Sequence, residues 1–248
     1  MLKKERQALI LKEISLHNKV LLTDLSERFD VSEDTVRRDL QELADAKQLI
    51  KVRGGALSKS YQTYAFRGKN IYAYKEKTLI AQKALGLLKD GMLVLIGGGS
   101  TNVELARILP PELKVTFLTN SLPTALMLSE HQESEVIFIG GHLSKASKIT
   151  IGGDVIHLLR EIRPDLCFLG VNGIDPSEGV TDSDWEVVRV KKSMLKAAGK
   201  VILLTISEKL NSTQKIKICD LADADLLITE LDPTDTRLEA YRSHINIL

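Results

Sequence analysis

Apolar residues recur at helical spacing from the first residues of the chain. Leu2, Leu9, Ile10 and Ile14 share one stripe with Arg6 and Glu13 and predict a helix over residues 3–16. A second helix follows, with Leu22 ahead of an N-capping Thr23 and with Leu25 and Phe29 as its apolar face. Asp30-Val31-Ser32 reads as a turn, and Ser32 caps a third helix. In that helix Val36, Leu40 and Leu43 fall at i, i+4 and i+7 and face inward, whereas Thr35, Arg37, Arg38 and Gln41 point elsewhere. The stretches 49–52 and 56–57 flank Arg53-Gly54-Gly55 and predict the two sides of a small wing. Residues 58–75 lose the pattern. They are polar, carry Tyr61, Tyr64, Phe66, Tyr72 and Tyr74, and read as a linker whose aromatics cover a neighbouring surface.

From residue 76 onward the pattern alternates between helical periodicity and short apolar runs. Helices are predicted at 76–88, 101–109, 122–131, 154–162 and 184–198, and strands at 92–96, 115–118, 135–139, 165–169, 201–205 and 225–229. Short buried strands interleaved with helices predict an α/β domain with a mainly parallel sheet. The expected organisation is a winged helix-turn-helix over residues 1–57, a linker over 58–75 and a larger α/β sensor domain over 76–248. A length of 248 residues suits two domains.

Helix, tight turn, arginine-bearing helix and basic hairpin together point to double-stranded DNA, with the third helix in the major groove. Candidate contacts are Ser32, Thr35, Arg37, Arg38 and Gln41 on the helix and Lys51 and Arg53 on the wing. Arginine bonds guanine edges bidentately or clamps phosphates, and basic wing residues suit phosphate or the minor groove. Charge adds little to this picture: the chain carries a net +1, and residues 1–57 hold eleven Lys/Arg against ten Asp/Glu. Affinity for a polyanion must then come from where the charges sit. The bland alternative is a solvated helix face in which Arg37 and Arg38 pair with Glu33, Asp34, Glu42 and Asp45.

In the larger domain, Gly97-Gly98-Gly99-Ser100-Thr101 lies between a predicted strand and a helix. Glycines let backbone N–H groups turn inward, and a helix N-terminus adds partial positive charge, so the turn suits a phosphate or another anion. It is neither a dinucleotide fingerprint, since Asn102 replaces the third glycine, nor a P-loop. A merely structural tight turn is the alternative. Thr119-Asn120-Ser121, Gly140-Gly141, Gly170 and Asn172-Gly173-Ile174-Asp175 also follow strands, where open parallel sheets bind ligands. The candidate ligand residues are Gly98, Gly99, Ser100, Thr101, Thr119, Asn120, Ser121, Gly141, Asp175, Thr181, Glu186 and Lys209.

Other chemistry finds little support. His17, His131, His142, His157 and His244 are scattered without metal-ligand spacing, and no nucleophile–base set stands out, so neither metal, cofactor nor catalytic residue is expected. Cys167 and Cys219 read as reduced structural thiols. The start lacks the apolar stretch of a signal peptide, and no apolar run reaches the length of a membrane span, so a cytoplasmic protein is expected.

The chain resembles the DeoR family of bacterial sugar-metabolism repressors. The resemblance rests on Val31-Ser32 with Thr35-Val36-Arg37-Arg38-Asp39-Leu40, on Gly54-Gly55-Ala56, and on Gly99-Ser100-Thr101, Thr119-Asn120-Ser121, Gly140-Gly141, Gly173-Ile174-Asp175, Gly179-Val180-Thr181 and Lys191-Lys192 with Met194. It implies a sensor domain similar to ribose-phosphate isomerase and glucosamine-phosphate deaminase folds. It also implies operator DNA and a phosphorylated sugar or related metabolite as partners, and a homodimer or homotetramer. The chain departs from the family pattern where Gly97 and Ile206 stand in place of aspartates. Two rivals stay open: a sugar-phosphate isomerase or deaminase carrying a DNA-binding domain, and an effector-independent DNA-binding protein.

Overall fold

A computed structural model describes residues 1–17, 19–58 and 71–248. The chain divides into two compact units, Met1–Tyr72 and Ala73–Leu248.

The first unit runs α1 (Lys3–His17), β1 (Lys19–Leu21), α2 (Leu22–Phe29), α3 (Glu33–Asp45), β2 (Leu49–Val52) and β3 (Gly55–Ser58). Its strands form an antiparallel sheet in the order β1-β3-β2. Ile10, Ile14, Leu25, Val36, Leu40, Leu43, Leu49 and Ala56 make its core, so the α3 face read from sequence is the buried one. Of the predicted α1 stripe, Arg6, Ile10 and Ile14 are buried, joined by Leu16, whereas Leu2 and Leu9 are exposed. Arg6 tolerates burial because its guanidinium donates to the Asp39 carboxylate of α3 through Nε at 2.5 Å and Nη2 at 3.3 Å. Thr23 is not the cap of α2. That helix begins at Leu22 without a side-chain cap, because the chain enters it straight from β1 and the Leu22 N–H donates to Gly54 O at 2.8 Å. β1 was not expected from sequence, and it explains Gly55: a Cβ there would lie 2.0 Å from Val20 O. The tyrosines and phenylalanine at 61, 64 and 66 lie outside the described residues.

The second unit opens with α4 (Tyr74–Leu85), two residues ahead of its predicted start. It continues through β4 (Leu93–Ile96), α5 (Ser100–Arg107), β5 (Thr116–Thr119), α6 (Leu122–Leu128), β6 (Glu135–Phe138), β7 (His142–Leu143), β8 (Thr150–Ile151) and α7 (Gly153–Glu161). It ends with β9 (Leu166–Gly170), β10 (Gly173–Asp175), β11 (Gly179–Asp182), α8 (Trp185–Ala197), β12 (Lys200–Leu204), β13 (Ile216–Cys219), β14 (Leu226–Ile228) and β15 (Asn246–Ile247). Seven strands form one sheet in the order β15-β14-β12-β9-β4-β5-β6, with every pairing parallel. The six predicted strands are all in it.

The antiparallel β10-β11-β13 sheet and the β7-β8 pair were not anticipated. Central strands buried on both faces, with Val94, Leu95, Ile96, Phe168 and Leu203 among the residues at 0% exposure, account for their unbroken apolar sequence. The chain moves outward from β4 to β6, then returns to place β9 on the other side of β4. β4 and β9 therefore flank a topological switch point, and the crevice beyond their carboxyl ends is where ligands bind in sheets of this kind.

Among the described residues, no helix is long and apolar enough to cross a membrane. Both cysteines are free and buried, and burial pushes each thiol up to about 12.

Candidate nucleic-acid interface and strand-end site

The outer face of α3 is built from its N-cap. Ser32 Oγ accepts from Thr35 N at 3.3 Å and lies 2.9 Å from Thr35 Oγ1, which fixes the start of the helix and holds Thr35 partly buried beside it. One turn on, Arg37 and Arg38 are both exposed. Arg37 pairs with Asp34 and, at 3.8 Å, with Glu33, as the bland alternative expected. Pairs this exposed contribute little and exchange readily for a phosphate. Arg38 enters no ion pair among the described residues. Gln41 joins helix to wing: its Oε1 accepts from Lys51 Nζ at 2.8 Å while its Nε2 donates to Asp45 at 2.8 Å. Lys51 and Arg53 are exposed on the wing. Basic and amide groups from α3 and the wing thus share one surface of the first unit, although residues 1–57 hold eleven Lys/Arg against ten Asp/Glu. The Arg6–Asp39 pair behind α3 was missed in sequence. Its signal was a carboxylate at position 39, one residue before Leu40 and three after Val36, facing a cation inside the apolar stripe of α1.

In the second unit, the glycine-rich turn sits at the carboxyl end of β4. The Gly97 N–H donates to Phe168 O of β9 at 3.0 Å. Gly99 has φ +114 and leads into α5, whose first N–H groups lack intrahelical acceptors. Gly98 admits no side chain, since a Cβ would meet Ile149 Cγ2 at 2.6 Å. Asn102, fully buried, donates to Gly97 O, Gly98 O and Phe168 O at 3.1–3.3 Å and clamps the turn to β9.

The next strand end packs alongside. The Ser121 N–H donates to Thr119 Oγ1 at 3.1 Å. Ser121 Oγ accepts from Thr124 Oγ1 at 2.8 Å, and Asn120 Nδ2 donates to Thr150 O at 2.9 Å. Thr119, Asn120 and Ser121 are all buried. Two buried acceptors here, Asn102 Oδ1 and Asn120 Oδ1, have no hydrogen-bond partner among the described residues. Buried polar atoms are almost always satisfied, so these two invite a donor such as a hydroxyl.

Lys209, in a short turn after β12, belongs to the same end of the sheet. Its Nζ donates to Val171 O at 2.8 Å, just beyond β9. Burial, then the charges of Lys77 and Lys191, pull its ammonium down to about 7. Lys191 donates to Gly170 O at 2.9 Å and to Asp182 Oδ2 at 2.8 Å. Burial works against charge on Asp182, yet Lys191, Ser183 N and Asn172 hold its carboxyl below the usual range. A Cβ on Gly170 would lie 2.9 Å from Gly98 O, so the lysines adjoin the glycine-rich turn.

Sequence reasoning passed over Lys77 and the role of Lys191, and it read Asp182 as a first-turn helix residue, whereas Asp182 ends β11 and Asp184 caps the helix. Lys77 had a readable signal: it lies three, four and seven residues before Ile80, Ala81 and Ala84 on the buried face of α4.

The remaining candidates lie apart from this cluster in their bonding. Asp175 Oδ1 accepts from Ser177 N, Ser177 Oγ and Glu178 N and holds the β10–β11 turn. Glu186 pairs with Arg189 at 3.5 Å in the first turn of α8. Buried Thr181 accepts from Gln214 N at 2.8 Å. Gly141 has φ +148, and a Cβ there would meet Val155 Cγ2 at 2.8 Å, so its glycine serves close packing on α7.

Residues 6–62 match the DeoR-like helix-turn-helix domain, and residues 72–231 match the DeoR C-terminal sensor domain. The chain is 33% identical to the HTH-type transcriptional repressor GlcR of Bacillus subtilis over 237 residues, covering 94% of this chain and 90% of that protein. It is 25% identical to the glycerol-3-phosphate regulon repressor of Escherichia coli, covering 95% of this chain and 94% of that protein. Among solved structures, ribose 5-phosphate isomerase A from Methanocaldococcus jannaschii shares 20% identity over 54% of this chain and 53% of that one, with a TM-score of 0.40. A helix-turn-helix domain and a sensor domain, each matched in place and in order, make this chain a member of the DeoR family of transcriptional regulators.

Proposed function

We propose that the protein is a cytoplasmic, non-enzymatic repressor of a carbohydrate-utilisation operon that binds operator DNA through α3 and the wing. A phosphorylated sugar or related metabolite, bound at the strand ends near Gly98–Thr101 and Thr119–Ser121, controls it. The observation that carries the reading is the single basic surface on which exposed Arg37 and Arg38 flank a Gln41–Lys51 link between recognition helix and wing. The strand ends at the switch point, with their glycine-rich turn, buried unsatisfied amide oxygens and nearby lysines, support the ligand half. Relatives named as repressors support the output.

The protein works as a homodimer or homotetramer on repeated half-sites, and ligand binding favours an arrangement of DNA-binding domains that mismatches the half-site spacing. The test is a titration of the full chain against a DNA fragment selected from a random pool, repeated across a salt series. Arg38→Ala leaves the melting temperature unchanged, weakens binding about tenfold or more and lowers the salt slope by ~1. Equal affinity and slope for the variant and the parent would remove α3 from the interface.

A further inference from the structure

The seven-stranded sheet has two edges, and they differ. β15 is two residues long, and its shortness blunts that edge. β6 reads Glu135-Val136-Ile137-Phe138, with no proline, no lysine and no bulge in its register with β5. Neighbouring side chains of a strand point to opposite faces, yet Ile137 is 45% exposed and Phe138 41%. Both faces of this strand are therefore open, although a parallel sheet is ordinarily covered on both. Leu126 of α6, which packs against β6, and Leu143 of β7 add two more exposed apolar side chains.

The backbone of the edge is open as well. The Glu135 N–H donates to Val115 O at 3.1 Å and the Ile139 N–H to Thr119 O at 2.8 Å, both towards the β5 side. Backbone groups alternate in direction along a strand, so Val136 and Phe138 aim their N–H and C=O groups away from β5. Among the described residues, no strand pairs with that side. Charge is divided along the same edge: Glu130, Glu133 and Glu135 are exposed towards its amino end, and His142 and Lys145 are exposed beyond its carboxyl end.

We propose that two copies of the protein join through β6, antiparallel about a twofold axis at Ile137, so that their two sheets become one. In this register Val136 and the partner's Phe138 exchange two backbone hydrogen bonds, and the twofold axis supplies two more. Ile137 stands opposite the partner's Ile137 and covers it. The acidic end of each edge lies against the basic end of the other, whereas a parallel arrangement would set like ends together. This names a surface for the homodimer proposed above and rests on that reading. It gives one assembly two DNA-binding units, as repeated half-sites require.

A disulfide tests the register. The two Ile137 Cα atoms lie about 4.5 Å apart across such an axis, within the roughly 4.4–6.8 Å that a disulfide spans, whereas the two Glu135 Cα atoms lie about 14 Å apart. Both native cysteines are buried, so a cysteine placed on the edge is the exposed one. Full-length Ile137→Cys and Glu135→Cys are treated with oxidised glutathione and run on a non-reducing gel. Expected are a covalent dimer from Ile137→Cys, reversed by dithiothreitol, and loss of nearly all of that product in Glu135→Cys. Ile137→Lys, whose like charges meet at the axis, halves the mass of the parent assembly in sedimentation while staying folded by circular dichroism.

No cross-link at position 137, or equal cross-linking at 135 and 137, overturns the proposal, and neither result depends on the lysine variant. An assembly mass unchanged in Ile137→Lys overturns it too. Where the parent sediments as a dimer in those cases, the homodimer reading stands and this surface alone is lost. A parent that sediments as a monomer across a wide concentration range, with no cross-link at 137, defeats both.

Discussion

At the scale of single residues, the structure rests on a few buried charges whose partners lie far away in sequence. Arg6 and Asp39, 33 positions apart, are joined by two hydrogen bonds inside the first unit. Removing one member leaves the other buried and uncompensated, so Asp39→Ala is expected to cost about 3–5 kcal/mol in urea unfolding of the first unit. A loss below about 1 kcal/mol would mean that solvent reaches the arginine.

Lys209 gives the opposite kind of prediction. Its folded ammonium sits at about 7, well below the ordinary lysine value, so between neutrality and about pH 10 the unfolded chain holds the extra proton. Stability of the ligand-free protein therefore rises with pH across that window, and Lys209→Met flattens the rise. A parallel pH profile for parent and variant would contradict the assignment. None of these roles was fully legible in sequence. Helical spacing shows which side of a helix an arginine or lysine occupies, but not the distant carboxylate or carbonyl that meets it. Ser32 was legible as a cap because its partner, Thr35, is three residues away.

At the scale of elements, what could be read depended on length and context. Helix α3 and the central strands were legible because apolar spacing over several residues specifies one buried face or two. Strands of two or three residues, such as β1, β7 and β10, carry too little pattern, and their existence depends on pairing with chain far away.

The wing shows this dependence. Gly54, at φ +80 with open space around it, and Gly55, with Val20 O 2.0 Å from a would-be Cβ, look alike in sequence. Gly54→Ala is expected to cost about 1–2 kcal/mol from left-handed backbone strain alone. Gly55→Ala breaks the β1–β3 contact and is expected to cost at least 1–3 kcal/mol more, in the manner of an overpacked core. Thermal melts of the two variants check the order. Equal losses would mean that β1 does not pair with β3 in solution. The Gly98 and Gly141 turns follow the same logic. Their glycines were legible as a strand-end series, whereas the close contacts to Ile149 and Val155 that require them depend on the tertiary fold.

At the scale of the whole molecule, two compact units would carry the two halves of the proposed function: a helix-and-wing surface bearing Arg37, Arg38, Lys51 and Arg53, and the strand ends at the switch point of a parallel sheet. The two-part layout and the family were readable from the order of motifs. The lysine group was not, because α4, α8 and the turn after β12 come together only through the crossovers of the sheet.

The central claim is that an anionic ligand in the second unit sets the DNA affinity of the first. The most direct measurement is operator affinity of the intact chain at fixed ionic strength and pH, with and without each member of a phosphorylated-sugar panel, alongside calorimetric binding of the same compounds. At least one compound that binds is expected to weaken operator binding by about 5–150-fold, the usual range for coupled sites. A compound that saturates the sensor unit while leaving operator affinity unchanged, with no other member of the panel shifting it, would contradict the account.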